Sequence, residues 1–397
     1  MHNHVALITI ALLILMFGLF SNLSERSPIS GPMFFLGIGM LVSPMALSLI
    51  NVQLNTGIVQ TVAEVTLIII LFVDASLIKF SELAKVLAGI PARLLLIGLP
   101  LTMVLGTVVA YFLFPGYNIW ALAMLALILS PTDAALGQAV IKSKNVPERI
   151  KESISIESGL NDGLSLPPIL LCIAVLASGG SALAGDGYWP IFMVEQLTIG
   201  PLMGAFVGHV GGKMIDYATN HGWMGAIFHH LAAIALAILA YSFAEMFHGN
   251  GFIAAFFAGL MLGTKIHIVR ERIQEFGEAQ GQLLSLIIFF LLGLSIHRFY
   301  PYWDITSLIY TFLSLTVIRI IPVMLSLMGT ELNLYSKLFI GWFGPRGIAS
   351  ILYMLIVISE LGVSGYEKLL SVIVLTVLIS TFVHGLSAVF MSKQFPD

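Results

Sequence analysis

Residues 117–141 read YNIWALAMLALILSPTDAALGQAVI, an apolar run long enough to cross a bilayer, interrupted at its middle by Ser130-Pro131-Thr132-Asp133. Pro131 removes a backbone donor and clashes with the preceding turn. Thr132-Asp133 is a helix-capping pair, so the pattern predicts one half-helix ending near Ser130 and another opening at Ala134. Such a break exposes carbonyls at one half-helix end, which favour a cation, and N–H groups at the other, which favour an anion. A carboxylate at bilayer depth costs at least ~2.5–3.5 kcal/mol on insertion scales. Asp133 is therefore read as functional or paired.

The surrounding chain makes the bilayer setting firm. Of 397 residues, 58% are hydrophobic and 10% charged, too few charges to cover a soluble globule of this size. Apolar runs of about 20 residues separated by short polar gaps indicate helices rather than barrel strands. A net charge of −3 gives no reason to expect a nucleic-acid partner, and the single cysteine, Cys172, excludes an internal disulfide and a cysteine-based metal site. The N-terminal MHNH has no basic region and the run after it no small-residue cleavage pattern, so it is expected to stay as a first helix.

About thirteen apolar runs are expected to cross, among them 118–142 (fifth), 150–177 (sixth), 304–328 (eleventh) and 336–361 (twelfth). The ninth, 250–264, is short for a crossing, and 77–91 is amphipathic enough to lie at the interface. With the N-terminus outside and the C-terminus cytoplasmic, Arg298 and Lys368 alone of eighteen Lys and Arg fall in outer loops, and Arg319 and Arg346 lie within spans. The rest fall inside, Arg26, Lys79, Lys85, Lys142 and Lys265 among them, as the positive-inside rule requires.

The fifth run's break has a counterpart in the twelfth, Gly341-Trp342-Phe343-Gly344-Pro345-Arg346-Gly347. An odd number of crossings separates them, which predicts two inverted halves, 1–177 and 226–397, joined by a linker span at 178–225. Paired interrupted spans in matching positions point to a secondary transporter's midplane site. The sixth run, ISIESGLNDGLSLPP at 154–168, carries the densest polar face. At about 100° per residue, Glu157, Ser158, Asn161, Asp162 and Ser165 fall within an arc of about 140°. Helix packing explains serine and asparagine on such a face but gives two acids no purpose. Arg346 is expected to neutralise Glu157 as an ion pair, and Arg319 to face the carbonyl ends of the broken helices. Gly204-Gly208-Gly212 and Gly259-Gly263 read as close-packing stripes. No His-Glu-x-x-His, Gly-x-Ser-x-Gly or Walker loop is present, so an enzyme is not expected.

SPTDAA in the fifth run, ESGLNDG at 157–163 and GWFGPRG at 341–347 resemble the monovalent cation:proton antiporter superfamily, and within it the branch of NhaP- and NHE-type sodium/proton exchangers. The resemblance extends along essentially the whole chain. It implies an all-α integral membrane protein of about 13 transmembrane helices in two inverted repeats with discontinuous crossing helices, an NhaA/NhaP-like fold. It implies exchange of Na+, or Li+, for H+ in pH homeostasis, with no cofactor beyond the transported ions, in a homodimer of the cell membrane. Carried over by position, Asp162 resembles the carboxylate that binds either cation or proton, with Asp133 helping to hold Na+. The Thr132 carbonyl and Ser158 side chain resemble further ligands, and Asn161 the residue that orients the site. Asn161-Asp162, where the electrogenic branch has two aspartates, implies electroneutral one-for-one exchange. This sequence departs from the family with Thr-Asp-Ala-Ala where many members have Thr-Asp-Pro, and with Gly-Pro-Arg-Gly for Gly-Leu-Arg-Gly. A K+/H+ antiporter of the same fold, or a cation channel, stays open on the residues alone.

Overall fold

A computed structural model of the chain describes residues 2–24, 29–50, 57–77, 89–133, 136, 138–141, 143–179, 188–262, 264, 266–393 and 395. The interfacial stretch 78–88, the basic residues Arg26, Lys79, Lys85, Lys142 and Lys265, Ala134 at the expected opening of the second half-helix, and Gly263 lie outside the described residues. Among those described, every apolar run contains helix and none contains a strand.

In chain order the helices are α1 (His2–Ser24), α2 (Gly31–Val42), α3 (Gly57–Ser76), α4 (Ile90–Leu113), α5 (Ile119–Ile128), α6 (Gln138–Ile141), α7 (Glu148–Ala177) and α8 (Tyr188–Asn220). They continue as α9 (Ala226–Met246), α10 (Gly251–Leu260), α11 (His267–Phe299), α12 (Ile305–Leu315), α13 (Val317–Ser326), α14 (Leu334–Trp342), α15 (Ile348–Leu361) and α16 (Glu367–Lys393). Among the described residues, six stretches are long and apolar enough to cross a membrane: α4, α7, α9, His267–Tyr302, Ile305–Ser326 and α16. Exposed Phe112, Leu202 and Phe312 give the outside the apolar character lipid requires.

Local irregularities follow from the sequence. Pro100 cannot donate to the carbonyl four residues back, and α4 relaxes into a π turn over Leu94–Gly98. The eleventh run is one stretch of membrane length, Ile305–Ser326, made of two helices. Thr316 takes φ −120° and ψ −90° between α12 and α13, six residues before Pro322, which deprives Ile318 of its helical partner. The interruption places Arg319 in the first turn of α13.

The chain divides into two compact units, one of residues 1–60, 89–161 and 285–397, the other of 61–88 and 162–284. The first holds both interrupted spans. Its core includes Ile90, Leu94, Ile150, Ile154, Val323, Phe339 and Phe343. The second is built on small residues: Gly204 and Gly208 of α8 face the backbone of Ala254 and Ala258 in α10, and Gly259 faces that of Phe72 in α3, so backbones approach where a Cβ would collide. Its core is correspondingly rich in alanine, with Ala233, Ala237, Ala240, Ala244 and Ala255 buried along α9 and α10.

Candidate functional site: two interrupted helices that cap each other

Helix α5 is capped by Asn118, whose side chain accepts from Trp120 N, and stops at Ile128. Pro131 prevents the helix from continuing, and residues 131–133 run on without helical structure. Asn333 caps α14 in the same manner, and the segment 343–347 before α15 contains Pro345 and two glycines.

Within the first unit the two interruptions lie against each other. Asp133 N donates to Pro345 O at 2.8 Å. Arg346 Nη1 donates to Ser130 O at 2.6 Å and Pro131 O at 3.1 Å, setting a guanidinium on the free carbonyls that follow α5. In return Ile348 N, at the start of α15, donates to Asp133 Oδ2 at 2.8 Å, setting a carboxylate on the positive end of that half-helix. Ser350 Oγ closes another orphan by donating to Ile128 O at 2.7 Å. Each interrupted span therefore supplies the charge that the other's broken end favours.

This arrangement corrects the expected pairing of charges. Glu157 is bonded to Arg319 rather than Arg346: Nη1 donates to Oε1 at 2.6 Å and Nη2 to Oε2 at 2.8 Å, a two-pronged pair with both side chains 1% exposed. Arg346, fully buried, takes the carbonyl ends assigned to Arg319 from sequence. The exchange has a geometric cause. Arg346 belongs to the interruption and lies beside the carbonyls of Ser130 and Pro131, whereas the break at Thr316 puts Arg319 at the opening of α13, within reach of α7.

On the polar face of α7, Thr132 Oγ1 lies 2.9 Å from Ser158 Oγ, and Asn161 Nδ2 donates to Thr132 Oγ1 at 2.7 Å. Thr132 Oγ1 thus accepts a hydrogen bond from Asn161, and in its contact with Ser158 either hydroxyl can donate. Asn161 Oδ1 is buried and accepts no hydrogen bond among the described residues. Asp162, also buried, follows Asn161 on the same helix, one turn beyond Ser158. Of the residues expected from sequence, the first unit brings together Thr132, Asp133, Glu157, Ser158, Asn161, Arg319 and Arg346. Asp162 is tied to them along α7.

Two hydroxyls in this crossing carry no expectation from sequence. Ser350 caps α5, and Ser380 Oγ of α16 accepts from Arg346 N at 2.7 Å. A signal for both exists, because each is a hydroxyl inside a strongly apolar run. Serines are common enough in membrane helices that the signal alone does not select them.

The interruption leaves no room for a side chain at Gly347, where a Cβ would press into the Asp133 carboxylate. Gly347→Ala is expected to push Asp133 off Ile348 N, lowering the thermal unfolding midpoint in detergent. An alanine variant with the parent's midpoint would show that the cap is dispensable.

Comparison with known proteins agrees with this architecture. The family described as "Sodium/hydrogen exchanger, transmembrane" matches residues 8–394. The K(+)/H(+) antiporter NhaP of Alkalimonas amylolytica is 28% identical over 335 residues, covering 81% of this chain and 55% of that protein. A Na(+)/H(+) antiporter of Schizosaccharomyces pombe is 25% identical over 309 residues, covering 70% of this chain and 65% of that protein. The chain thus spans between half and two thirds of the length of these curated relatives. The sodium proton antiporter MjNhaP1 from Methanocaldococcus jannaschii has the same fold, with a TM-score of 0.79 at 19% identity over 100% of this chain and 99% of that one.

Proposed function

Because the chain belongs to the transmembrane sodium/hydrogen exchanger family, we propose that it is a secondary antiporter exchanging Na+, or Li+, for H+ across the cell membrane. The observation that supports this most is the mutual capping of the two interruptions beside the polar face of α7. It is an internally compensated frame bonded to the polar face of α7, which also carries Asp162.

Asp162 is the exchanging group. A carboxylate taken partly out of water holds a proton more readily than in water, so H+ and a monovalent cation compete for it, and either cancels its charge. Ser158, Asn161 and Thr132 supply the neutral oxygens around the cation, while Asp133 serves first as the cap of α15 and the Glu157–Arg319 pair as fixed, neutral scaffolding. Alternating access follows from movement of the interrupted spans relative to the rest, with the empty, charged form held back by its desolvation cost. The inverted halves 1–177 and 226–397, an outside N-terminus, a cytoplasmic C-terminus and a homodimer belong to the same reading, as does a role without enzymatic chemistry or cofactor.

Potassium is the second reading, favoured by the name of the Alkalimonas relative, a K(+)/H(+) antiporter. Proton flux in proteoliposomes, driven in turn by Na+, Li+ and K+ with and without an imposed membrane potential, separates the two. Flux expected with sodium or lithium and indifferent to potential supports the Asn161-Asp162 reading. Flux with potassium alone replaces it with the second, and a strong voltage dependence overturns electroneutrality.

A further inference from the structure

Helix α16 grips the twelfth-run interruption on both of its rims. On one side, Ser380 Oγ accepts from Arg346 N at 2.7 Å. On the other, Trp342, the last residue of α14, donates through Nε1 to Ser387 Oγ at 3.0 Å and lays its ring 5.2 Å from that of His384. His384 joins the two grips. Its Nδ1 lies 3.0 Å from Ser380 Oγ and 3.2 Å from Ser380 O, and Ser387 Oγ donates to His384 O at 3.3 Å. Serine, histidine and serine at 380, 384 and 387 follow helical spacing, so one face of α16 presents all three. The imidazole is 1% exposed, and its Nε2 has no hydrogen-bond partner among the described residues.

A histidine so deeply buried is an expensive choice where packing alone would favour an apolar residue. What it gains is a fixed hydroxyl. A serine side chain is free to rotate about χ1, whereas Ser380 held at Nδ1 keeps its oxygen aimed at Arg346 N. The Arg346 backbone in turn sets where the guanidinium meets Ser130 O and Pro131 O, and the adjoining Pro345 O receives Asp133 N.

We infer that His384 is a positioning residue for cation exchange, acting through Ser380 to hold the Arg346 segment, and through it Asp133 and Thr132, in the geometry that binds the cation. This rests on the antiporter reading above. It extends that site to α16, whose Ser380 acts through the backbone N–H of Arg346.

The test is a double-mutant cycle in full-length protein. His384→Phe keeps a ring against Trp342 and removes Nδ1, His384→Asn restores a polar atom near the Nδ1 position, and Ser380→Ala removes the acceptor for Arg346 N. In proteoliposomes His384→Phe and Ser380→Ala are each expected to raise the half-saturating cation concentration about three- to tenfold, the scale of one buried neutral hydrogen bond, with a smaller change in maximal rate. His384→Asn should recover most of the affinity. Combining Ser380→Ala with His384→Phe should add little to either alone, because both act through one bond.

The same cycle is read a second way, in detergent, from the rise in unfolding midpoint that the transported cation produces by mass action. That readout needs no transport, so absent flux in the parent protein overturns the antiporter reading while leaving this one decidable. Additive effects, an unchanged affinity in His384→Phe, or equal defects in His384→Phe and His384→Asn would overturn the positioning role.

Discussion

Asp162→Asn is expected to abolish cation-driven proton movement in proteoliposomes, a loss of at least about a hundredfold, while the protein folds and purifies as the parent does. The substitution keeps the volume and the hydrogen-bonding outline and removes the one property that exchange requires, a group able to hold either a proton or a cation. Asparagine binds neither as a charge partner, so no occupied form differs from the empty one, and competition has no substrate. A buried carboxylate carries a desolvation cost that asparagine does not, so the unfolding midpoint should stay level or rise. That combination of lost flux and retained stability distinguishes an exchanging carboxylate from a structural one. Robust exchange in purified Asp162→Asn protein would reject Asp162 as the binding group, and a collapse of the fold would make it a scaffold residue.

Glu157→Gln should do the opposite, failing chiefly in stability. The carboxylate meets both terminal nitrogens of Arg319, and both side chains are 1% exposed. Breaking such a pair from one side strands a cation in a low-dielectric interior and costs about 3–5 kcal/mol. Arg319→Met should cost a similar amount by stranding Glu157. The combination Glu157→Gln with Arg319→Met removes both charges and should recover most of the loss, since a buried pair is worth little more than well-packed neutral residues. Thermal unfolding of the two single variants and the double decides it. Strict additivity would mean that the two charges do not depend on each other. Arg346→Met is the informative contrast, because its guanidinium hydrogen-bonds carbonyls rather than a carboxylate, so a change at Glu157 should rescue it far less than it rescues Arg319→Met.

These two acids differ in how far the sequence foretells them. The position of Asp162 on a polar helical face, and the interruptions at 130–133 and 343–347, are readable because proline, glycine and charge are rare inside apolar runs and each has a local consequence. The helical architecture follows for the same reason. The partner of Glu157 is not readable in that way. Arg319 and Arg346 are chemically identical, both lie within apolar runs, and the choice depends on which guanidinium lies beside the carbonyls after α5. The break at Thr316, which brings Arg319 to Glu157, is hidden because no proline or glycine marks it in the sequence. Asp133, which the resemblance puts at the cation, also accepts from Ile348 N and so offsets a helix end, a backbone partner that the sequence does not announce. Ser380 and Ser350 stay hidden because their targets are backbone groups, which no side-chain pattern records.

The mutual capping of the interrupted helices has a consequence for how the chain is made. Helix α5 has 10 residues and α14 has 9, about 15 Å each at 1.5 Å per residue, half of a hydrocarbon core about 30 Å thick. Neither can enter a bilayer alone without bringing backbone groups that lipid cannot satisfy. The groups that answer Asp133 are synthesised 215 residues later. During biosynthesis the fifth run must therefore wait, sheltered by neighbouring helices, by water or by the insertion machinery, until the twelfth emerges. A nascent chain halted before Pro345 should leave Asp133 reachable by water-soluble carboxylate reagents, and one extended past Leu361 should bury it.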